Sequence, residues 1–221
     1  MTRSVLLTRS NSANAWLKER LQQYDYELLE YSLIKYKLQL VNLLELKNFT
    51  DLIITSFFAA SMVPPAFSTG MHAWVVGTKS ARILEEKGYD IKFIATSAKS
   101  LKQQIPETIY ETAIYLSSNH ITIDMPKQIV RKIFYKVTYR KSLSQEQILR
   151  YKKGIDYVLI YSENCAKTLI KLLLENNLMN YLENTTYIAI SSKVEKVIRK
   201  HFRNTQICQD DNLMLQYLGK Q

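Results

Sequence analysis

The sequence predicts an α/β protein made of two similar domains with mostly parallel sheets. Three observations carry that reading. Short β-rich runs alternate with amphipathic helical stretches along the whole 221 residues, the pattern of successive βαβ units. Asp51-Leu-Ile-Ile-Thr-Ser56-Phe-Phe-Ala-Ala60 is echoed by Asp156-Tyr-Val-Leu-Ile-Tyr-Ser162-Glu-Asn-Cys-Ala166, each an acidic residue, a buried strand and a serine opening a helix. Further on, Val76-Gly77-Thr78-Lys79-Ser80 is echoed in the same order by Ile190-Ser191-Ser192-Lys193-Val194, each also followed by a helix. One such pair is common between βα units; two ordered pairs point to a duplication.

In chain order, the β-rich runs fall at 5–7, 27–30, 52–54, 74–76, 91–94, 113–116, 134–138, 157–160, 187–190 and 205–207. Between them, apolar residues recur at three- and four-residue spacing, the helical period, in 13–21, 80–87, 145–153 and 166–174. Ala166, Leu169, Ile170, Leu173 and Leu174 show it best. Glycine is scarce, with five in the chain, so several strand-to-helix turns are built with Ser, Thr and Asn, which are good helix N-caps.

Composition excludes several classes. Hydrophobic residues make up 47% of the chain, enough for real cores and against disorder. The longest apolar stretch, 52–63, ends at Pro64-Pro65 and is too short to span a bilayer. The N-terminus reaches strand residues without an apolar export segment, and the two cysteines, Cys165 and Cys208, lie far apart. A reduced, cytoplasmic setting is expected, with neither a disulfide framework nor a zinc site. The net charge of +10 suits a polyanionic partner, yet no long Lys/Arg run makes a basic tail.

Few motifs announce chemistry. His72, His120 and His201 have no second ligand at metal spacing, so no metal site is expected. Gly77-Thr-Lys-Ser80 lacks the Gly-Lys-Ser/Thr order and upstream glycine of a phosphate loop. A Gly-x-Gly-x-x-Gly fingerprint and a Gly-x-Ser-x-Gly elbow are absent. What remains is a set of helix N-termini after the strands ending near Thr8, Thr55, Val76, Leu116, Ile160 and Ile190. In open α/β sheets ligands bind at such carboxyl ends, where amides and the helix dipole favour anions. Arg9, Lys79 and Lys193 sit in these turns and add charge; Ser56, Ser80, Ser162 and Ser192 either bind ligand or cap helices.

At these same turns the chain resembles the uroporphyrinogen-III synthase family. Val5-Leu-Leu-Thr-Arg9 is similar to the opening V-L-V-T-R-P, with Ser10 for the proline. Ile53-Ile-Thr-Ser56 resembles the F-T-S strand end, and Val75-Val-Gly77 with Ser80-Ala81 the V-G-x-x-T-A turn. Tyr115-Leu-Ser-Ser-Asn-His-Ile-Thr-Ile-Asp124 is similar to Y-L-R-G-x-x-x-x-x-D, with Ser117-Ser118 for Arg-Gly. Val137-Thr-Tyr139 resembles the V-x-Y motif, and Val194 stands where relatives usually carry threonine. The segment 208–215 resembles N-P-T-x-x-x-M-L, keeping Asn212 and Met214 without the proline.

The resemblance implies two flavodoxin- or Rossmann-like domains joined by a two-stranded connection, one of them discontinuous. Residues 1–33 with 143–221 would form one, 39–134 the other, and 34–38 and 135–142 the crossing strands. It implies cofactor-free cyclisation of hydroxymethylbilane, a linear tetrapyrrole with eight carboxylates, to uroporphyrinogen III. Tyr139 would be the catalytic proton donor. Arg9, Thr55, Ser56, Thr78, Lys79, Ser80, Ser117, Ser118, Ser162, Asn164, Ser191, Ser192 and Lys193 would hold substrate. Tyr135 is expected to be a bystander. A monomer with no nucleic-acid or membrane partner is expected. The alternative is a basic two-domain α/β protein that binds nucleic acid or an anionic ligand without catalysis; no nucleic-acid-binding signature supports it.

Overall fold

The computed structural model describes residues 2–40, 42–66 and 70–220. The chain forms two compact units, Met1–Lys35 with Thr138–Gln221, and Tyr36–Val137. Both are parallel-sheet α/β units, and the first is assembled from the two ends of the chain, as the family resemblance implies.

The first unit contains β1 (Arg3–Leu7), α1 (Asn11–Leu21), β2 (Tyr26–Glu30) and the start of β3 (Ile34–Leu38). The second contains β4 (Asp51–Ile54), α2 (Phe57–Met62), β5 (His72–Val76), α3 (Thr78–Glu86), β6 (Asp90–Ala95), α4 (Ala98–Gln104), β7 (Ala113–Ser118) and most of β8 (Val130–Tyr139). The chain then returns through α5 (Gln145–Lys152), β9 (Tyr157–Ile160), α6 (Glu163–Glu175), β10 (Thr186–Ala189), α7 (Ser192–Ile198), β11 (Thr205–Ile207) and α8 (Asp211–Leu218). The passage between units runs within β3 and β8, neighbours in one sheet. Arg140 N donates to Leu33 O and Gln39 N to Phe134 O, both at 2.9 Å, so the two strands are antiparallel.

Sheet order exposes the duplication that the sequence repeat predicts. The first sheet reads β2-β1-β9-β10-β11 and the second β3-β8-β7-β4-β5-β6. Strands within each five-stranded set pair in parallel. Numbering the first set along the chain gives 2-1-3-4-5, the flavodoxin-like order. The second gives the same order if β7 and β8 are its strands one and two and β4, β5 and β6 its strands three to five. The whole chain therefore reads 1-2-3-4-5-1-2-3-4-5, with strands one and two of each repeat exchanged into the other's sheet. Strand β3 adds an antiparallel edge.

Strand burial follows from covering both faces. In the first unit Leu6, Val158, Ile160, Tyr187 and Ala189 pack with Leu169, Leu173, Val194, Ile198 and Phe202. The alternate residues Val5, Leu7, Leu159 and Ile188 pack on the other face with Leu17, Leu21, Met214 and Leu218. That two-sided burial is why these strands read as continuous apolar runs. Helix α4 leaves no signal in the sequence, because Leu101 is its one buried residue and no apolar stripe forms. Among the differences from expectation, β8 begins at Val130 rather than 134, β10 ends at Ala189, and no helix follows β7, whose chain runs through a loop to β8.

The repeated acidic residue has the same task in both units. At the start of β4, buried Asp51 accepts hydrogen bonds from Trp74 Nε1 (2.8 Å) and Thr50 Oγ1 (2.7 Å), with His72 Nδ1 3.3 Å away. Just before β9, Asp156 accepts from Ser4 N (2.7 Å) and Ser4 Oγ (2.8 Å) of β1. Both carboxylates thus tie their strand to a neighbour at the amino ends, opposite the strand ends that bind ligands in such sheets.

Burial separates their energetics. Asp51→Ala removes a buried carboxylate and leaves half-buried Trp74 Nε1 without its acceptor, which should cost about 2–3 kcal/mol; Asp156→Ala, at an exposed carboxylate, should cost about 1 kcal/mol. Urea denaturation of the two variants measures the difference, and equal losses would contradict the assignment.

Candidate functional site

A 2-1-3-4-5 sheet opens a crevice at the carboxyl ends of strands one and three, where the chain winds off in opposite directions. In the first unit that point lies between β1 and β9, and in the second between β7 and β4. The polar residues after these four strands are Thr8-Arg9, Tyr161-Ser162, Ser117-Ser118-Asn119 and Thr55-Ser56. Strand topology thus gathers predicted site residues that are far apart in sequence.

At the β1/β9 crevice, fully buried Thr8 donates through Oγ1 to Leu159 O at 2.6 Å, closing the two strand ends together. Arg9 is expected to face ligand, but its donors are committed. Its NH1 and NH2 reach both oxygens of Asp211 at 3.3 and 3.0 Å, and Nε donates to Asn14 Oδ1 at 3.2 Å. The guanidinium also lies 3.7 Å from the Tyr161 ring centroid. Asp211 starts α8, so this arginine is a tie between β1 and that helix, its charge already met. Burial pushes the pKa of the Tyr161 hydroxyl up, opposed by the charge of Arg9 and reinforced by Asp211.

Ser162 is the N-cap of α6: its Oγ accepts from Cys165 N at 3.1 Å. Burial raises the Cys165 thiol above its ordinary value, which keeps it protonated and unreactive. At the second residue of the helix, Asn164 Nδ2 donates to the Tyr139 hydroxyl at 3.1 Å. Tyr139 ends β8, its ring packed against the core that holds β9 and β10. The phenol oxygen is therefore used as an acceptor, and its own proton is left to be given. The α7 turn differs from expectation by one residue: Ser191 is the N-cap, accepting from Val194 N, while Ser192 and Lys193 are the exposed first two helical residues.

At the β4/β7 crevice, Ser56 caps α2 and accepts from Ala59 N at 3.1 Å. Its Oγ accepts a second hydrogen bond from the Tyr135 hydroxyl at 2.8 Å. Tyr135, expected to stand apart, is therefore bonded to this turn, with its ring 4.8 Å from that of Phe58. Thr55 Oγ1 and the Tyr115 hydroxyl lie 2.8 Å apart, and burial raises the Tyr115 pKa against the opposing charge of Arg131. Ser117 and Ser118 are buried at the end of β7. Arg131 Nε donates to Ser117 Oγ at 2.8 Å and its NH2 to Ser118 O at 2.9 Å. Asn119 clips the loop to β8, accepting from Val137 N at 2.7 Å.

At the neighbouring β5 turn, Gly77 rather than a serine caps α3, with φ at 86°. A side chain is strained at that φ, and a Cβ there would meet nothing within 4 Å. The open backbone leaves the first amides of α3 uncovered, with Thr78 and Lys79 exposed beside them. Ser80 is expected to open the helix but lies inside it, buried, so it packs. Val194 is buried at the matching position of α7. Lys79 and Lys193 form no ion pair among the described residues.

Sequence reasoning therefore finds the turns but misses Tyr115, Arg131, Asn119, Asn14 and Asp211. Asn119 lies in the β7 turn itself; the other four reach a turn from another element or from within the following helix. Among the described residues no group of three or more His, Cys, Asp or Glu could hold a metal ion, and no helix is long and apolar enough to cross a membrane.

Comparison with known proteins bears on what these strand ends do. The sequence model of the family described as Uroporphyrinogen-III synthase HemD matches residues 15–210. An uncharacterized protein of Rickettsia prowazekii (strain Madrid E) is 33% identical, across 95% of this chain and 94% of the relative. The fold is similar to that of uroporphyrinogen-III synthetase from Helicobacter pylori 26695, with TM-score 0.61, 13% identity and all of both chains covered. A mutant uroporphyrinogen III synthase from the extremely thermophilic bacterium Thermus thermophilus gives TM-score 0.59 at 13% identity, over 100% of this chain and 98% of that one.

The Tyr135–Ser56 contact yields a test independent of ligand. Tyr135→Phe keeps the ring and removes one donor, and Ser56→Ala removes both its acceptor and a helix cap. A double-mutant cycle followed by urea denaturation should give a coupling of about 0.5–1.5 kcal/mol. Strict additivity would mean the two hydroxyls do not interact.

Proposed function

The chain belongs to the uroporphyrinogen-III synthase family, and on that premise we propose that it closes hydroxymethylbilane into uroporphyrinogen III, with loss of water and inversion of ring D. The observation that carries the chemical part is the Tyr139 hydroxyl, which accepts from Asn164 and keeps its proton. The tetrapyrrole ends in a hydroxymethyl group, and the electron-rich pyrrole stabilises the cation formed when that hydroxyl leaves. Tyr139 gives its proton to the departing oxygen as general acid. The substituted carbon of ring D then attacks, forming a spiro intermediate that reopens and recloses inverted.

Ring closure without inversion proceeds unaided, so the enzyme's task is positional. The substrate's carboxylates give it handles. Open amides at the start of α3, the exposed Lys79 and Lys193, and the hydroxyls of Thr55, Ser56, Thr78, Ser162, Ser191 and Ser192 are the groups proposed to hold them; the buried Ser117 and Ser118 hydroxyls already donate to Ser118 O and His120 O. Ser56 and Ser162 can do so while capping, because each Oγ accepts from the helix and keeps its own proton. Arg9 is left out of this set, since Asp211 neutralises it. The substrate is a linear tetrapyrrole, and the proposed chemistry uses no cofactor.

Two expected outcomes test this reading. Incubation with hydroxymethylbilane, oxidation and chromatographic separation should give the III isomer in excess over the I isomer. Tyr139→Phe should slow the reaction up to about 10²-fold, the low end for a lost proton donor, since the leaving step is already easy. The I isomer should rise as unaided closure competes. Full rate and isomer purity at unchanged melting temperature would remove Tyr139 from the mechanism. Lys79→Ala and Lys193→Ala should each weaken binding partially, with affinity falling as salt rises, because exposed charge is screened over about 10 Å at 0.1 M. Salt-independent binding would contradict carboxylate recognition.

A further inference from the structure

We propose that Arg131 is the arginine that grips a substrate carboxylate in this protein, held in place for that purpose by Ser117 and Ser118. The inference deepens the reading above and rests on it for the identity of the ligand.

Two arginines stand at the two crevices, and their surroundings differ in one decisive respect. Arg9 is spent on Asp211 in a two-pronged ion pair and stacked on Tyr161. Arg131 has no carboxylate partner among the described residues; its hydrogen bonds go to two neutral oxygens. Those contacts use Nε and NH2 and leave NH1 with both its protons. A guanidinium whose one side is fixed by a hydroxyl and a carbonyl has lost much of its rotational freedom before ligand arrives, so less is lost on binding. Its remaining donors suit a carboxylate in geometry as well as charge.

The placement is specific. Arg131 lies early in β8, level with Tyr115 in the parallel register, and its side chain runs up to Ser117 and Ser118 at the end of β7. In the β4–β7 register Ile54 is level with Leu116, so Thr55 and Ser56 follow one strand away from Ser117 and Ser118. Ser56 Oγ already accepts from Ala59 N and from Tyr135, so its own proton is free for a ligand at the same strand ends. Ser117-Ser118 occupies the place of Arg-Gly in the family's Y-L-R-G pattern, and here the charge reaches that strand end from β8 instead.

The test separates this inference from the synthase reading by using a binding probe beside the assay. Uroporphyrin I, a closed tetrapyrrole with eight carboxylates, is titrated into the full-length protein and followed by fluorescence. Arg131→Ala should weaken affinity about 10-fold or more, the loss expected for hydrogen bonds to a charged group. Arg131→Lys should recover only part, because the charge returns without the fork. Arg82→Ala, which removes an equal charge from the outer face of α3, should change affinity less than about twofold. Melting temperatures show whether each variant is folded. Equal effects from Arg131 and Arg82, full rescue by lysine, or no porphyrin binding by the unmodified protein would overturn the inference. Arg131-dependent binding without cyclisation of hydroxymethylbilane would uphold it while overturning the synthase reading.

Discussion

Strand β1 enters a parallel sheet beside β9, with Val5 level with Tyr157 and Leu7 with Leu159. Two contacts lock that pairing from its ends: Ser4 to Asp156, 152 residues apart, and Thr8 to Leu159, 151 apart. Since β1 is sandwiched between β2 and β9, the first unit has no complete sheet until both ends of the chain are present. The second unit must therefore form as an insertion, entered through β3 and left through β8. A connection of two paired strands suits this better than flexible linkers, because it holds its own backbone hydrogen bonds.

The exchange also explains where chemistry can sit. Each sheet keeps the 2-1-3-4-5 order, and each therefore keeps a crevice between its strands one and three. In both units those two strands come from different repeats, so every crevice joins residues from distant stretches of chain: Thr8 with Ser162, and Ser56 with Ser118. The amino ends of the same sheets carry the structural tethers, Asp51 and Asp156.

Within the crevices, the two arginines show how a partner decides a role. A guanidinium bound at both nitrogens by a carboxylate is a structural tie, costly to break and poorly placed to take a second anion. A guanidinium resting on a hydroxyl and a carbonyl keeps its charge. The same logic separates tyrosines. Tyr135 spends its proton on Ser56, while Tyr139 accepts from Asn164 and has a hydrogen left to donate.

Sequence alone determined the α/β class, the duplication and most strand positions, because buried parallel strands leave apolar runs and helices leave a 3.6-residue stripe. It missed α4, whose single buried leucine makes no stripe, and it misplaced the caps of α3 and α7 by up to three residues, because serine, threonine and glycine all open helices. The turns that line the crevices were legible as polar residues after strands. Their partners were not: Asp211 meets Arg9 from 202 residues away, Tyr135 meets Ser56 from 79, and Arg131 meets Ser117 from 14. Hydrophobic periodicity is a local property of the chain. Which donor finds which acceptor depends on strand order, and that was decided only when the two repeats exchanged their first two strands.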